Sequence, residues 1–260
     1  MPELPDVEGF RHVLDGCGIG RCVRCVDVRD TGVLRGVGVR RLRREVEGRR
    51  LGRPWRQGKL LIVPVGDGPA LVWYFGLTGE LVCARADDPP AAHDRVVLAL
   101  DDDRQVRYRD QRKLQGIRLA PNQRALRRML ELLGPDALEM TRADFLDLLA
   151  ARQGAVKGVL MDQSLIAGLG NLLSDEILWR ARVAPRRPAR ALDSAEARRV
   201  FTAMRGVLAT ATRAGRVPRR RTWLTGHRDD GEPECPRCGR RLRSHRVAGR
   251  RSVWCAHCQH

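Results

Sequence analysis

Residues 60–75, Leu60-Leu61-Ile62-Val63-Pro64-Val65-Gly66-Asp67-Gly68-Pro69-Ala70-Leu71-Val72-Trp73-Tyr74-Phe75, place two runs of β-branched, aliphatic and aromatic residues on either side of a Gly-Asp-Gly turn. Each run has strand length, and glycines supply the backbone freedom a tight reversal needs, so the stretch predicts a β-hairpin. Working outward, Arg21–Val28, Arg95–Leu100 and Gln105–Tyr108 carry the same character, and residues 21–119 read mainly as strands. Before them, Val7, Phe10 and Leu14 recur at helical spacing. After them the period changes. Leu126, Met129, Leu130 and Leu133 fall on one helical face, and Val200, Met204, Val207, Leu208 and Ala211 on another. Asp193 with Glu196 predicts a capping box at the start of the second helix, and Gly215 its end. Strands followed by helices predict an α+β chain: an amino-terminal antiparallel β-sandwich with an opening helix, then a helical domain. The expected boundaries are 1–121, 122–223 and a cysteine-bearing tail, 224–260, with no internal repeat.

At 260 residues and 43% hydrophobic content the chain can build a substantial core. No apolar run approaches the roughly 20 residues of a membrane span, and the start lacks the pattern of a secretory leader, so the expectation is a cytoplasmic protein. The formal charge of +18 points to a polyanionic partner, nucleic acid first. A coding bias towards arginine is the plainer reading, since only Lys59, Lys113 and Lys157 among 49 basic residues are lysines. That bias draws attention to the three, because a compact ammonium and a planar guanidinium are not interchangeable.

In the tail, Cys235-Pro236-Arg237-Cys238 and Cys255-Ala256-His257-Cys258 form two Cys-x2-Cys pairs separated by sixteen residues. Each pair can chelate from one turn, and four thiolates complete a tetrahedral zinc site on a segment too small to have its own core. With every position filled, the metal is structural. The intervening Arg240–Trp254, turning at Ala248-Gly249, predicts a β-hairpin with Arg250 and Arg251 near its tip. Cys17, Cys22, Cys25 and Cys83 lack a second chelating pair and are expected to be small buried apolar residues.

The chain opens Met1-Pro2-Glu3-Leu4-Pro5-Asp6. Proline at the first position of a helix is common, which is one reading. The other is chemical: removal of Met1 leaves Pro2 as a secondary amine that can attack a sugar carbon and form an iminium, with Glu3 beside it for proton transfer. A second informative stretch is Lys157 to Leu178, whose Gly168 and Gly170 let backbone approach a partner closely. A helix beginning near Asn171 would point amides at a phosphate.

Together these pieces resemble the formamidopyrimidine-DNA glycosylase and endonuclease VIII family. The resemblance runs through the Pro-Glu-Leu-Pro start, Gly58-Lys59 before a strand, Gly76-Leu77-Thr78-Gly79, Asp110-Gln111-Arg112-Lys113-Leu114, the Asp162-Gln163 to Glu176 helix-two-turns-helix segment and the cysteine hairpin. It implies a bifunctional DNA glycosylase and abasic-site lyase acting on damaged double-stranded DNA as a monomer, through a Pro2 Schiff base and β,δ-elimination. Glu3 would assist by proton transfer, and Lys59 would lie against the reacting nucleotide. Lys157, Gly168, Gly170, Asn171 and Arg250 would hold phosphates, and Asp6 and Glu176 would be carboxylates near the active site. Leu77, Arg112 and Leu114 stand where the family carries a Met, Arg, Phe trio that fills the void left by the extruded base. Asp6 replaces a usual Glu and Tyr74 a usual His. Only nineteen residues separate Gly215 from Cys235, too few for the loop with which 8-oxoguanine enzymes of the family enclose a flipped purine. Oxidised or ring-opened pyrimidines, or abasic sites, are therefore the expected substrates. The alternative is a protein of the same fold that grips damaged DNA but turns over weakly; a zinc-dependent nuclease is disfavoured by the closed cysteine set.

Overall fold

A computed structural model describes residues 2–260; Met1, and with it the expected removal of the initiator, lies outside the described residues. The chain forms two compact units, one of Pro2 and Asp6–Leu132, the other of Glu3–Pro5 and Leu133–His260.

The first unit holds most of helix α1 (Leu4–Cys17), then β1 (Val23–Val28), α2 (Val39–Val46), β2 (Trp55–Gln57), β3 (Leu60–Pro64), β4 (Ala70–Tyr74), β5 (Glu80–Arg85), β6 (Asp94–Leu100), β7 (Arg104–Arg109), β8 (Gly116–Ala120) and α3 (Gln123–Leu130). Two four-stranded antiparallel sheets, ordered β1-β6-β7-β5 and β2-β3-β4-β8, make the sandwich. The hairpin is as expected, with Leu60 opposite Tyr74 and Pro64 opposite Ala70. Alternate side chains enter a core that includes Val26, Leu61, Trp73, Phe75, Leu98 and Tyr108, where the Trp73 and Tyr108 rings meet edge to face at 5.9 Å. Each large apolar side chain enclosed there is worth roughly 1.5–3 kcal/mol before entropy is counted.

Two departures have physical causes. Helix α2 was hidden by Val-Arg-Arg-Leu-Arg-Arg-Glu-Val, whose polar composition masks an amphipathic turn burying only Leu42 and Val46. Of the four other cysteines, only Cys17 is buried; Cys22 is half-buried and Cys25 and Cys83 are exposed, because β1 and the edge strand β5 turn those positions outward. The helical period begins at residue 122, yet α3 lays Leu126 on Ile62, Ala70, Val72 and Ala120, so it belongs to the first unit.

The second unit contains α4 (Arg142–Ala150), α5 (Val156–Met161), α6 (Asn171–Ala181), α7 (Ser194–Arg213), β9 (Arg243–Val247) and β10 (Arg250–Trp254). Helix α7 starts with the expected Asp193/Glu196 capping box, and Gly215 follows at φ +62°. Its face of Val200, Met204, Val207 and Leu208 joins Phe145, Leu160, Leu173 and Ile177 in one core. In the β9–β10 hairpin, Ala248 (φ +46°) and Gly249 (φ +73°) form the turn.

Candidate active site and nucleic-acid interface

The amino-terminal residues are fastened to the turn that opens α6. Glu3 is fully buried. Its Oε2 accepts the backbone N–H groups of Gly170 (2.9 Å) and Leu173 (3.1 Å), and its Oε1 that of Leu172 (2.8 Å). First-turn amides have no partner inside their helix, so a carboxylate there gains hydrogen bonds and the favourable end of the helix dipole. Leu4 N–H donates to the Gly168 carbonyl at 3.1 Å. Chain ends ordinarily fray. This one is tied down immediately after Pro2, which is half-buried. The amides expected to face a phosphate are thus engaged by the chain's own Glu3, and the close approach that Gly168 and Gly170 permit is that of Leu4 and Glu3. A Cβ on Gly170 would lie 2.3 Å from Glu3 Cδ, and one on Gly168 2.5 Å from Leu4 Cδ1. The turn itself is stapled by Gln163, whose amide accepts from Gly168 N (3.0 Å) and donates to the Leu169 and Met161 carbonyls (each 2.8 Å).

Lys157, expected to hold a phosphate directly, is fully enclosed instead. Its ammonium meets Asp175 Oδ1 at 2.7 Å, Asn171 Oδ1 at 2.7 Å and the Arg251 carbonyl at 3.2 Å. An ammonium has three donors, so these partners leave none for DNA. Burial pulls the Lys157 pKa below its ordinary value, with Asp175 opposing. Asp175, which the sequence reading missed, also accepts from Ser252 Oγ (2.9 Å), Arg228 Nη1 (2.9 Å) and Val253 N–H (3.1 Å), tying α5, α6 and β10 together. A signal existed: Asp175-Glu176 interrupts the otherwise apolar run around Leu172–Leu178, and adjacent carboxylates on a buried helix require partners. Glu176 is likewise fully buried, accepting from Arg180 Nε (2.8 Å) and Thr225 N–H (3.3 Å). Burial pushes its carboxyl pKa up, while Arg180 and the amides of residues 224 and 225 pull the other way. On this unit Asn171 keeps a half-buried side chain and Arg250 an exposed one.

In the first unit, Lys59 occupies the turn between β2 and β3 after Gly58 (φ +56°) and is 9% exposed. Arg56 fastens that turn to α1, donating to Glu8 Oε2 at 3.3 Å and to the Gly58 carbonyl at 2.9 Å. Asp6 is half-buried on α1, and Tyr74 half-buried at the end of β4. Loops 76–79 and 110–115 are welded through Asp110, whose Oδ1 accepts from Thr78 Oγ1 (2.5 Å) and Arg112 N–H (3.1 Å). Leu77, Arg112 and Leu114 are thereby brought to one end of the sandwich. Leu77 is half-buried and Arg112 exposed, while Leu114 stands 48% exposed on a fixed loop, an apolar side chain left in water. Lys113 turns aside to Asp30 at 2.9 Å.

The Sγ atoms of Cys235, Cys238, Cys255 and Cys258 all lie within 4.8 Å of one another. Zinc with four bonds of about 2.3 Å needs sulfur separations of roughly 3.8 Å. The Cys238–Cys255 separation is 3.6 Å. The Trp179 indole N–H donates to Cys235 Sγ at 3.4 Å. Burial resists ionisation of Cys235, but that donor and the amides of residues 237 and 238 bring its pKa to about 7, the direction metal binding needs. Burial and the neighbouring thiols push Cys255 and Cys258 up, so it is the sulfur geometry that speaks for the metal. The donor set fits one structural zinc ion.

Residues 1–117 match the formamidopyrimidine-DNA glycosylase N-terminal domain, and residues 133–220 the formamidopyrimidine-DNA glycosylase H2TH domain. The chain is 33% identical to the formamidopyrimidine-DNA glycosylase of Pelotomaculum thermopropionicum, covering 100% of this chain and 99% of the relative. The chain belongs to the formamidopyrimidine-DNA glycosylase family. The enzyme of that name from Heliobacterium modesticaldum is also 33% identical, over the whole of both chains. A Lactococcus lactis member of the glycosylase family in complex with abasic-site DNA has a TM-score of 0.88 at 28% identity, with 99% of each chain covered. A mutant of that enzyme with Fapy-dG-containing DNA has a TM-score of 0.90 at 27% identity, again over 99% of each chain.

Proposed function

We propose that the chain excises damaged bases from double-stranded DNA and cleaves the resulting abasic site, with Pro2 as the nucleophile once Met1 is removed. As a family member it is a bifunctional glycosylase and abasic-site lyase of base-excision repair. The observation that carries the role of Pro2 is the Glu3 clamp: a buried carboxylate with three backbone donors holds the residue next to the amine in place. The Pro2 nitrogen attacks C1′, the C1′–base bond breaks, the nitrogen loses its proton and the sugar ring opens to leave an iminium. Loss of a C2′ proton then expels the 3′ phosphate, and a second elimination expels the 5′ phosphate. Lys59 serves the reacting nucleotide, Asn171 and Arg250 the flanking phosphates, and Leu77, Arg112 and Leu114 the vacated stack, where an apolar wedge offsets part of the unstacking cost. The first unit, which ends at Leu132, supplies chemistry, and the second supplies backbone grip, with the zinc hairpin in its residues 224–260.

For substrate choice, the nineteen residues between Gly215 and Cys235 matter most. Val217, Trp223, Leu224, Thr225 and Arg228 are buried, so the segment is anchored at intervals as far as residue 228, and the longest run without a buried residue, 229–234, is only six residues, short for a span that must fold over a base. The alignment with the Pelotomaculum relative runs to 275 positions against 260 residues here, in keeping with a shortened chain. Ring-opened purines, for which the relatives are named, and oxidised pyrimidines are the proposed substrates, with 8-oxoguanine poor. No helix is long and apolar enough to cross a membrane among the described residues, and the proposed setting is a monomer on cytoplasmic DNA. Borohydride trapping on an abasic duplex, followed by release assays on single-lesion duplexes, tests the assignment. A covalent adduct at Pro2 is expected; DNA binding without trapping would favour the weakly catalytic alternative, and efficient 8-oxoguanine release would overturn the lesion preference.

A further inference from the structure

We propose that Lys157 is a positioning residue that fixes which end of the Asn171 amide faces DNA. The proposal rests on Asn171 serving as a phosphate contact. An ammonium carries donors only, so the Asn171 atom 2.7 Å from Lys157 Nζ must be the carbonyl oxygen. The assignment of amide oxygen and nitrogen, otherwise ambiguous, is settled by that chemistry. With oxygen turned inward, the Asn171 NH2 group is the end left for a partner. A phosphate offers only acceptors, so this is the end it can use. An unrestrained asparagine would divide its population between two orientations, one of which presents oxygen to oxygen. Lys157 removes the second.

The ammonium is itself held. Asp175 Oδ1 keeps its charge compensated at 2.7 Å, and Arg228 shares the same carboxylate at 2.9 Å, so the group cannot swing outward without leaving a buried carboxylate short of a partner. Its third donor reaches the Arg251 carbonyl at 3.2 Å, while Asp175 takes Ser252 Oγ and Val253 N–H. The residues next to Arg250 on β10 are therefore set by the cluster that orients Asn171. One enclosed lysine gives two proposed phosphate contacts a common reference without touching DNA.

The test compares full-length, zinc-loaded Lys157→Met, Asn171→Ala, the double variant and Asn171→Asp, binding a duplex with a tetrahydrofuran abasic analogue over a salt series. Lys157→Met is expected to weaken binding about tenfold at fixed salt while leaving the slope of log K against log salt unchanged, because no counterion-releasing contact is lost. The double variant should bind within about twofold of Asn171→Ala. Asn171→Asp should pair with Lys157, keep or raise the thermal midpoint, and still lose at least tenfold in affinity, since it offers a phosphate no donor. A slope reduced by roughly 0.9 in Lys157→Met would show a direct phosphate contact and overturn the proposal. Additive losses in the double variant would overturn it too, by showing that Lys157 acts independently of Asn171. Unchanged binding by Asn171→Ala would instead remove the phosphate reading of Asn171 underneath it. Were Lys157→Met to lose its fold, Asn171→Asp decides alone: wild-type affinity there overturns the proposal.

Discussion

Gly170→Ala isolates the amino-terminal clamp, because at that position only the nearness of Glu3 requires glycine. Its backbone, at φ −129° and ψ −161°, is extended and open to any residue. The added Cβ would lie 2.3 Å from Glu3 Cδ, 2.5 Å from Oε1 and 2.7 Å from Cγ. Carbon contacts are comfortable from about 3.5 Å, so the carboxylate must retreat by roughly 1 Å. Bonds now at 2.8–3.1 Å would then pass beyond useful hydrogen-bond length. A hydrogen bond to a charged acceptor is worth about 1.5–3 kcal/mol, and losing two with partial relaxation costs about 3 kcal/mol, close to a 100-fold fall in the docked amino terminus. Single-turnover borohydride trapping on an abasic duplex should therefore slow by roughly 10- to 100-fold, and hydrogen exchange at the Leu172 and Leu173 amides should quicken. In a Glu3→Ala background the same substitution should have little further effect on exchange, which separates the clash from any loss of capping by glycine. A Gly170→Ala protein that traps within twofold of the parent, with unchanged exchange at those amides, would refute the clamp as the support for Pro2.

Three other outcomes follow from local geometry. Gly206 lies within α7 with no atom within 4 Å of an added Cβ, so Gly206→Ala should stabilise by about 0.5–1 kcal/mol, read as a higher urea midpoint. At Asp94, burial opposes ionisation, but the Ala91 N–H and the Arg109 and Arg107 guanidiniums outweigh it and hold the pKa below the usual 3.8. The carboxylate's stabilisation is thus present above the unfolded pKa and lost as pH falls through the lower folded value; Asp94→Asn should cost about 3 kcal/mol at pH 7 and much less near pH 2, measured by urea unfolding at both. Zinc chelation or Cys255→Ser should release residues 224–260 to protease and abolish lesion binding while the β-sandwich stays resistant, and a zinc-free protein with normal affinity would contradict this role.

What was legible in the sequence was what repeats at short range. The β3–β4 hairpin, the α7 capping box and the cysteine pairs each lie within a few residues of their own signal. Helix α2 was not legible because four arginines in eight residues leave only Leu42 and Val46 to report a buried face. The clamp was hidden for a different reason: Glu3 meets its partners across 167 to 170 residues, and no local spacing encodes that meeting. Read locally, the glycines and the start of α6 looked like backbone left open for a phosphate. In the fold the same features make room for residues 3 and 4.

The three lysines show how far composition can carry an argument about chemistry. All but three of the 49 basic residues are arginine, so each lysine is a place where the bias was resisted. At Lys157 the structure supplies a reason: three acceptors converge on one enclosed nitrogen, which suits a compact tetrahedral ammonium and not a planar fork with five donors. Arginine there would leave donors unpaired in the interior and crowd Asp175, which already serves Arg228 and two groups of β10. Lys113 carries no such requirement, since its partner Asp30 is a surface carboxylate that a longer side chain could also reach. Lysine against an arginine background therefore marks geometry at the nitrogen where acceptors enclose it, as at residue 157, and there that geometry points inward to Asn171 and β10.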